Sequence, residues 1–155
     1  MNSQIIKLDA WVINLLKRIS APLARIALFV VYFWFGILKL LDLSPANPLV
    51  MDLQQKTLPF MSFQTFIVLF SLFEMLIGVL FLIPKATRAA FILFVLHMGM
   101  TLMPLLLLPQ IAWQGPFVPT LEGQYMIKNL ILISLVVFLV SNLTPVKQNL
   151  LKSEV

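Results

Sequence analysis

Glu74, His97, Lys39 and Lys128 are the residues of this chain best placed to do chemistry, because each stands inside or near the end of a long apolar run. Glu74 interrupts FQTFIVLFSLFEMLIGVLFLI and His97 interrupts AAFILFVLHMGMTLMPLLLL. A carboxylate and an imidazole in apolar surroundings can exchange protons; amines there donate hydrogen bonds or balance an anion. Spacing groups these residues further. Gln64, Ser71, Glu74 and Gly78 recur at intervals of seven, three and four, which places them on one helix face. Arg25, Phe29, Tyr32, Gly36 and Lys39 alternate by four and three and share another seam.

Each of these polar residues has two readings. A charge at the centre of a membrane helix costs about 2.5–3.5 kcal/mol on insertion scales, so it needs a partner or a neutral form. Glu74 is either a buried tie between helices or a ligand-binding, proton-carrying carboxylate. Lys39 and Lys128 either snorkel to the nearest interface or, with Asp42 and Glu122 close in sequence, form a charged cluster above Glu74. His97 is either a hydrogen-bonded histidine of the interior, or a proton relay or a hydrogen-bond donor to a quinone carbonyl. A single histidine cannot ligate haem from both sides, and the eight methionines suit packing better than ligation. The candidate site is therefore Glu74 and His97 as proton-exchanging groups, with Lys39, Lys128, Glu122 and Tyr32 around a ligand.

The elements that position these residues follow from composition. Hydrophobic residues make up 61% and charged residues 11%, against about 45–50% and about 25% in soluble domains. This excludes a soluble enzyme, a disordered tail and a nucleic-acid-binding module. Four stretches reach the roughly 20 apolar residues that a bilayer core of about 30 Å requires: 22–43, 63–83, 89–108 and 125–143. The expected fold is all-α, an integral membrane four-helix bundle with short connections and antiparallel neighbours. The runs lack the period-two alternation of a membrane barrel. Pro104 is expected to kink the third span. Gly36, Gly78 and Gly99 are expected at helix contacts.

Basic residues orient the bundle. Lys7, Lys17, Arg18, Arg25, Lys85, Arg88, Lys147 and Lys152 all fall on one side of four spans, and the opposite loops hold only Lys56. This asymmetry explains the net charge of +5 and predicts both termini in the cytoplasm. The chain therefore divides into residues 1–19 and a single bundle over 20–155. Ser3, Lys7, Asn14, Lys17 and Arg18 form one face of the first segment, and Ile5, Ile6, Trp11, Val12, Leu15 and Leu16 fill most of the rest. That pattern predicts an amphipathic interfacial helix on the cytoplasmic surface. The late, full-length apolar run after it is not that of a cleavable signal peptide. Ser20 before Pro22 predicts a fresh helix start. Residues 44–62 predict a proline-rich loop with one short helix. Residues 109–124 predict a rigid turn, with Thr120 capping the fourth helix and Glu122 near its positive end. The chain has no cysteine, which excludes disulfides, thiolate catalysis, Cys-ligated zinc and Cys-held iron–sulfur clusters. No phosphate loop, zinc motif or Ser/His/Asp arrangement is present, so no metal site is expected.

The phrases LARIALFVVYFWFGILKLLDL, FEMLIGVLFLIPKATRAA and EGQYMIKNLILI resemble the DoxX-like family of small four-helix membrane proteins. The matching positions are Arg25, Gly36 and Lys39 in the first span, Glu74 and Gly78 in the second, Arg88 opening the third, and Lys128 with Asn129 in the fourth. The TLMPLLLLPQIAW stretch is similar to the branch related to reactive-chlorine-resistance membrane proteins. The resemblance covers about Leu23 to Leu143. It implies a multi-pass protein of the bacterial cytoplasmic (inner) membrane, linked to quinone-dependent oxidation or oxidative-stress response.

The first expectation is thus a redox accessory protein that binds a quinone or a lipid-like ligand in the bundle. It would have no covalent cofactor, and any oxidoreductase activity would need a partner. The second is a cofactor-free structural subunit of a larger membrane complex or homo-oligomer. The third is a small transporter or channel. None involves nucleic acid; all involve the lipid bilayer.

Overall fold

A computed structural model describes residues 3–145 of the chain. It is mostly helical, and four of its helical segments are long and apolar enough to cross a membrane. Lys147 and Lys152 lie outside the described residues.

Helix α1 (Ser3–Leu40) is one unbroken helix. The expected restart at Ser20 does not occur. Proline's fixed φ is helical, so Pro22 costs one backbone hydrogen bond without forcing an exit from the helix. The Ser20 hydroxyl donates to the Lys17 carbonyl (3.2 Å) instead of capping a new start. Along α1 the buried residues are Ala24, Leu28, Tyr32, Gly36 and Lys39, spaced by four and three. The helix stops three residues earlier than the apolar run. Asp42 takes a left-handed conformation (φ 57°), Leu43 N–H donates to Leu38 O and Asp42 N–H to Lys39 O. Such paired bonds close a helix C-terminus at a residue that is usually glycine.

Helix α2 (Asn47–Thr57) forms within the proline-rich loop. Helix α3 (Phe63–Leu82) starts under Ser62, whose side chain accepts from Thr65 N–H. A short 3-10 turn (Pro84–Ala86) leads to α4 (Thr87–Leu102). The third apolar run breaks at Met103, next to Pro104, and continues as the single turns α5 (Pro104–Leu107) and α6 (Pro109–Ala112). The turn expected before the fourth span is a small antiparallel hairpin of β1 (Trp113–Gly115) and β2 (Val118–Pro119), so the chain is not purely helical. Helix α7 (Leu121–Ser141) starts as expected under Thr120, which accepts from Gly123 N–H. Gly123 has a structural reason: a Cβ there would overlap the Ala112 carbonyl oxygen.

The most extensive packing is between the antiparallel α1 and α3. Two glycines allow it. A Cβ on Gly78 would lie 3.1 Å from Phe33 N and 3.2 Å from Tyr32 Cβ, and one on Gly36 would lie 3.0 Å from Ser71 O. Small residues permit backbones to approach this closely. Gly99 is different, since a Cβ there meets nothing within 4 Å. It is not a helix contact. Leu28, Ile77, Phe81, Phe94, Val136 and Leu139 form the centre of the core between α1, α3, α4 and α7.

Polar side chains fasten the two ends of the bundle. Arg25 donates to Phe81 O (2.9 Å) and Thr87 Oγ1 (2.8 Å), bridging the end of α3 and the start of α4. Arg88 donates to Thr144 O. The α1 extension, the α3–α4 turn and the end of α7 therefore share one end of the bundle. At the other end, Lys56 donates to Leu107 O, and Trp113 Nε1 donates to Leu105 O (2.9 Å).

Candidate functional site

The close α1–α3 contact places Lys39 against Glu74. Lys39 Nζ is 2.6 Å from both carboxylate oxygens. Both residues are buried. Helix α4 brings His97 to the same carboxylate, with Nε2 2.9 Å from Glu74 Oε1. The other ring nitrogen, Nδ1, is 3.3 Å from the Tyr32 hydroxyl and 3.3 Å from Thr101 Oγ1. Thr101 also donates to the His97 carbonyl (3.0 Å). Four side chains from three helices thus form one chain: Lys39, Glu74, His97, Tyr32.

The donor and acceptor roles follow from Glu74. A carboxylate paired with an ammonium carries no hydrogen. His97 must then supply the hydrogen of the 2.9 Å contact from Nε2. In the neutral ring Nδ1 is an acceptor, and the Tyr32 hydroxyl points its hydrogen at it. The Lys39–Glu74 pair is electrically balanced, so a neutral ring keeps the whole buried cluster neutral. A buried pair of this kind survives desolvation only with good geometry and further hydrogen bonds to its free lone pairs, and His97 supplies one of them.

Aromatic rings enclose the cluster. Phe70 stacks on His97 at 5.3 Å between centroids and 20° between planes. Tyr32 meets His97 edge-on at 5.1 Å, and Phe73 lies at 6.0 Å. Lys39 Nζ sits 5.4 Å from the Phe70 centroid, within cation–π range. Ser71 lies in the same α3 seam but turns its hydroxyl back to Ile67 O (2.6 Å).

Of the residues singled out by sequence, Glu74, His97, Lys39 and Tyr32 come together. Lys128 and Glu122 do not join them. Both are exposed on α7, and Lys128 lies over the Tyr125 ring at 5.2 Å. Gln64, expected on the Glu74 face, is exposed near the start of α3. Asp42 pairs with Asn47, whose Nδ2 donates to Asp42 Oδ1 (2.7 Å). Sequence reasoning did not single out Phe70 and Phe73. Their positions four and one before Glu74 put them beside it on α3, but phenylalanines are too common in this chain to stand out. Asn47 was also missed; it is buried, and its Oδ1 has no hydrogen-bond partner among the described residues.

An apolar groove of about 200 Å³ runs between α4 and α7, with Phe94, Met98, Gly99 and Val136 in its walls. Phe94 also packs edge-on against Tyr32, 6.0 Å between centroids. The groove and the polar cluster are therefore separated by one layer of side chains.

Fold and site together define a helical bundle with four potential membrane-crossing segments and a buried ion pair extended by histidine and tyrosine. Comparison of the chain with protein-family models, curated proteins and solved structures finds no match.

Proposed function

We propose that this protein is a DoxX-like, multi-pass protein of the bacterial inner membrane that exchanges protons with a quinone or similar amphipathic ligand, acting with a partner redox protein. The observation that carries the reading is the buried hydrogen-bonded chain from Lys39 through Glu74 and His97 to Tyr32. Buried ionisable residues inside membrane helices are expensive and mark proton or substrate pathways by default. The orientation rests on the basic residues gathered at one end of the bundle, which the positive-inside rule assigns to the cytoplasm.

The donor set suits a quinone head group. The Lys39 ammonium has three N–H bonds and gives two to Glu74, so a third can reach a carbonyl oxygen. Phe70 and Phe73 add half-buried aromatic rings beside it. The groove between α4 and α7 can take part of an isoprenoid tail. Quinone reduction, when such a ligand is bound, takes up two electrons from the partner and two protons from the medium. In this chain Lys39 would hold the carbonyl, while Glu74 and His97 would pass a proton along their shared hydrogen bond. Tyr32 keeps His97 Nδ1 occupied and the ring aligned.

The test is mass spectrometry of an organic extract from gently solubilised protein. The expected result is quinone at near one per chain, lost from a variant that combines Lys39→Met with Glu74→Gln. That double change removes both charges at once and so keeps the interior neutral. Quinone retained by the folded double variant would refute the reading.

A second reading rests on the same cluster being closed on itself. Lys39, Glu74 and His97 satisfy one another, as structural ties do, and a cofactor-free subunit of a larger membrane complex would need nothing more. An extract with only bulk phospholipid, together with co-purification of a fixed partner, would favour that reading.

A further inference from the structure

Asn129 lies within α7 and is half-buried, and its side-chain amide makes no hydrogen bond among the described residues. The hydroxyls of the apolar helices behave differently. Ser71 donates to Ile67 O, Thr101 to His97 O and Ser134 to Leu130 O, each closing on its own helix. An amide carries donors and an acceptor, and hydrocarbon has nothing to offer them.

Depth decides what can meet this amide. The 21 residues of α7 make a rod of about 32 Å, close to the roughly 30 Å core of a bilayer. Asn129 stands about 12 Å along that rod from Leu121. Lys128 beside it has a long flexible stem that carries its charge toward the surface, and it rests over the Tyr125 ring. Asparagine has too short a stem to follow. Phospholipid ester carbonyls lie at the interface, so they are too shallow to reach it, and acyl tails have no polar atoms.

The groove between α4 and α7 leads to Asn129. Ile133 and Val137 belong to its α7 wall, and Met98 and Gly99 to its α4 wall. Asn129 precedes Ile133 by four residues, so it shares that face one turn nearer the hairpin. On the α4 side the turn beyond Met98 and Gly99 brings Leu102, which is half-buried and apolar. The amide is therefore the polar group at the hairpin end of an apolar groove. Val95, Gly99 and Val137 are exposed, and a Cβ on Gly99 would meet nothing within 4 Å, so the groove opens on the outside of the bundle. The Lys39–Glu74–His97 cluster lies behind Tyr32 and Phe94. A ligand arriving from the bilayer reaches the groove first.

We propose that the groove is a lateral binding site in which the Asn129 amide hydrogen-bonds the carbonyl or hydroxyl head of an amphipathic ligand, whose apolar part lies along Met98, Gly99 and Ile133. The inference rests on the quinone reading and deepens it, because it adds a point of capture at the rim of the bundle ahead of Lys39. A quinone suits the position, since its head carries polar oxygens into the hydrocarbon depth where Asn129 stands.

The experiment is equilibrium binding of decyl-ubiquinone to the full chain in nanodiscs, for the unaltered protein, Asn129→Leu, Gly99→Leu and Ser134→Ala. Asn129→Leu removes the amide at similar size, Gly99→Leu fills the groove, and Ser134→Ala is the control. The Kd is expected to rise by about tenfold or more in the first two, as for one lost hydrogen bond or a blocked groove, and to stay within about twofold in the third. Without ligand, Asn129→Leu should melt no lower than the unaltered protein, because an amide with no partner stabilises nothing. A clear drop in its melting temperature would show that Asn129 ties the protein together, and would overturn the proposal. Unchanged affinity in Asn129→Leu, with binding lost in the Lys39→Met, Glu74→Gln double variant, would overturn this site and leave the quinone reading standing. No binding by the unaltered protein would overturn both.

Discussion

Lys39 Nζ stands at the same distance, 2.6 Å, from both oxygens of Glu74, although the two residues lie 35 positions apart and on different helices. The symmetry makes the pair a single neutral unit, and either half alone is a buried charge. Breaking such a pair by removing one partner costs about 3–5 kcal/mol, whereas replacing both can be close to neutral. Lys39→Met and Glu74→Gln are each expected to destabilise the bundle by about that amount. The double variant should recover most of the loss, as measured by thermal unfolding in detergent. Additive losses would show that the two side chains do not act as a pair.

His97 is the only histidine, so its ring signals in a nitrogen-15 spectrum are unambiguous. The contact with the ionised Glu74 requires the hydrogen on Nε2, and a neutral ring then leaves Nδ1 as the acceptor for Tyr32. The spectrum should show that tautomer. In Tyr32→Phe, Thr101 is left as the remaining hydroxyl near Nδ1, and the Nδ1 signal should move while the fold is kept. An Nδ1-protonated ring in the unaltered protein would contradict the assigned direction of the chain.

The three glycines expected at helix contacts should separate by stability. A Cβ at Gly78 meets the α1 backbone at 3.1–3.3 Å, and forcing α1 and α3 apart costs about 1–3 kcal/mol. Gly99 faces open space, so Gly99→Ala should gain about 0.5–1 kcal/mol from helix propensity. Parallel unfolding curves of Gly78→Ala and Gly99→Ala decide the matter. A similar loss in both would mean that Gly99 has a partner in the membrane.

Asp42 holds a left-handed backbone and binds Asn47 at once. Asp42→Ala keeps the strain and loses the bond, and should cost about 1–2 kcal/mol. Asp42→Gly loses the bond but also the strain, worth about 1–2 kcal/mol, and should come out near neutral. If alanine were tolerated as well as glycine at this position, the left-handed backbone would carry no strain; if alanine matched the unaltered protein, the contact with Asn47 would contribute nothing.

Thr120 does two jobs at the start of α7. It accepts from Gly123 N–H (3.0 Å) and donates to Ile111 O (2.6 Å). Thr120→Val removes both and should cost about 1–2 kcal/mol. Thr120→Ser should restore most of it. Equal melting of the valine variant and the unaltered protein would leave the cap without a stabilising role.

The sequence by itself determined the four apolar helical segments, because span length and continuous hydrophobicity are local properties that need no knowledge of partners. It also determined the Thr120 cap and the break at Pro104, both set by residues within a few positions of one another. It marked Glu74, His97, Lys39 and Tyr32, since a polar group inside an apolar run has few inexpensive places to go. The tertiary structure decided which of these meet. Lys39 and Lys128 look alike in sequence, each near the end of an apolar run, yet Lys39 reaches Glu74 and Lys128 stays on the surface of α7. The difference comes from Gly36 and Gly78, which let α1 approach α3 closely enough for an amine on one to reach a carboxylate on the other. Helix α7 carries no such contact with α3 at Lys128. The unbroken course of α1 was likewise a tertiary outcome. Ser20 and Pro22 form a start signal read locally, but a proline's φ fits a helix interior as well, and only the folded chain shows that the helix continues.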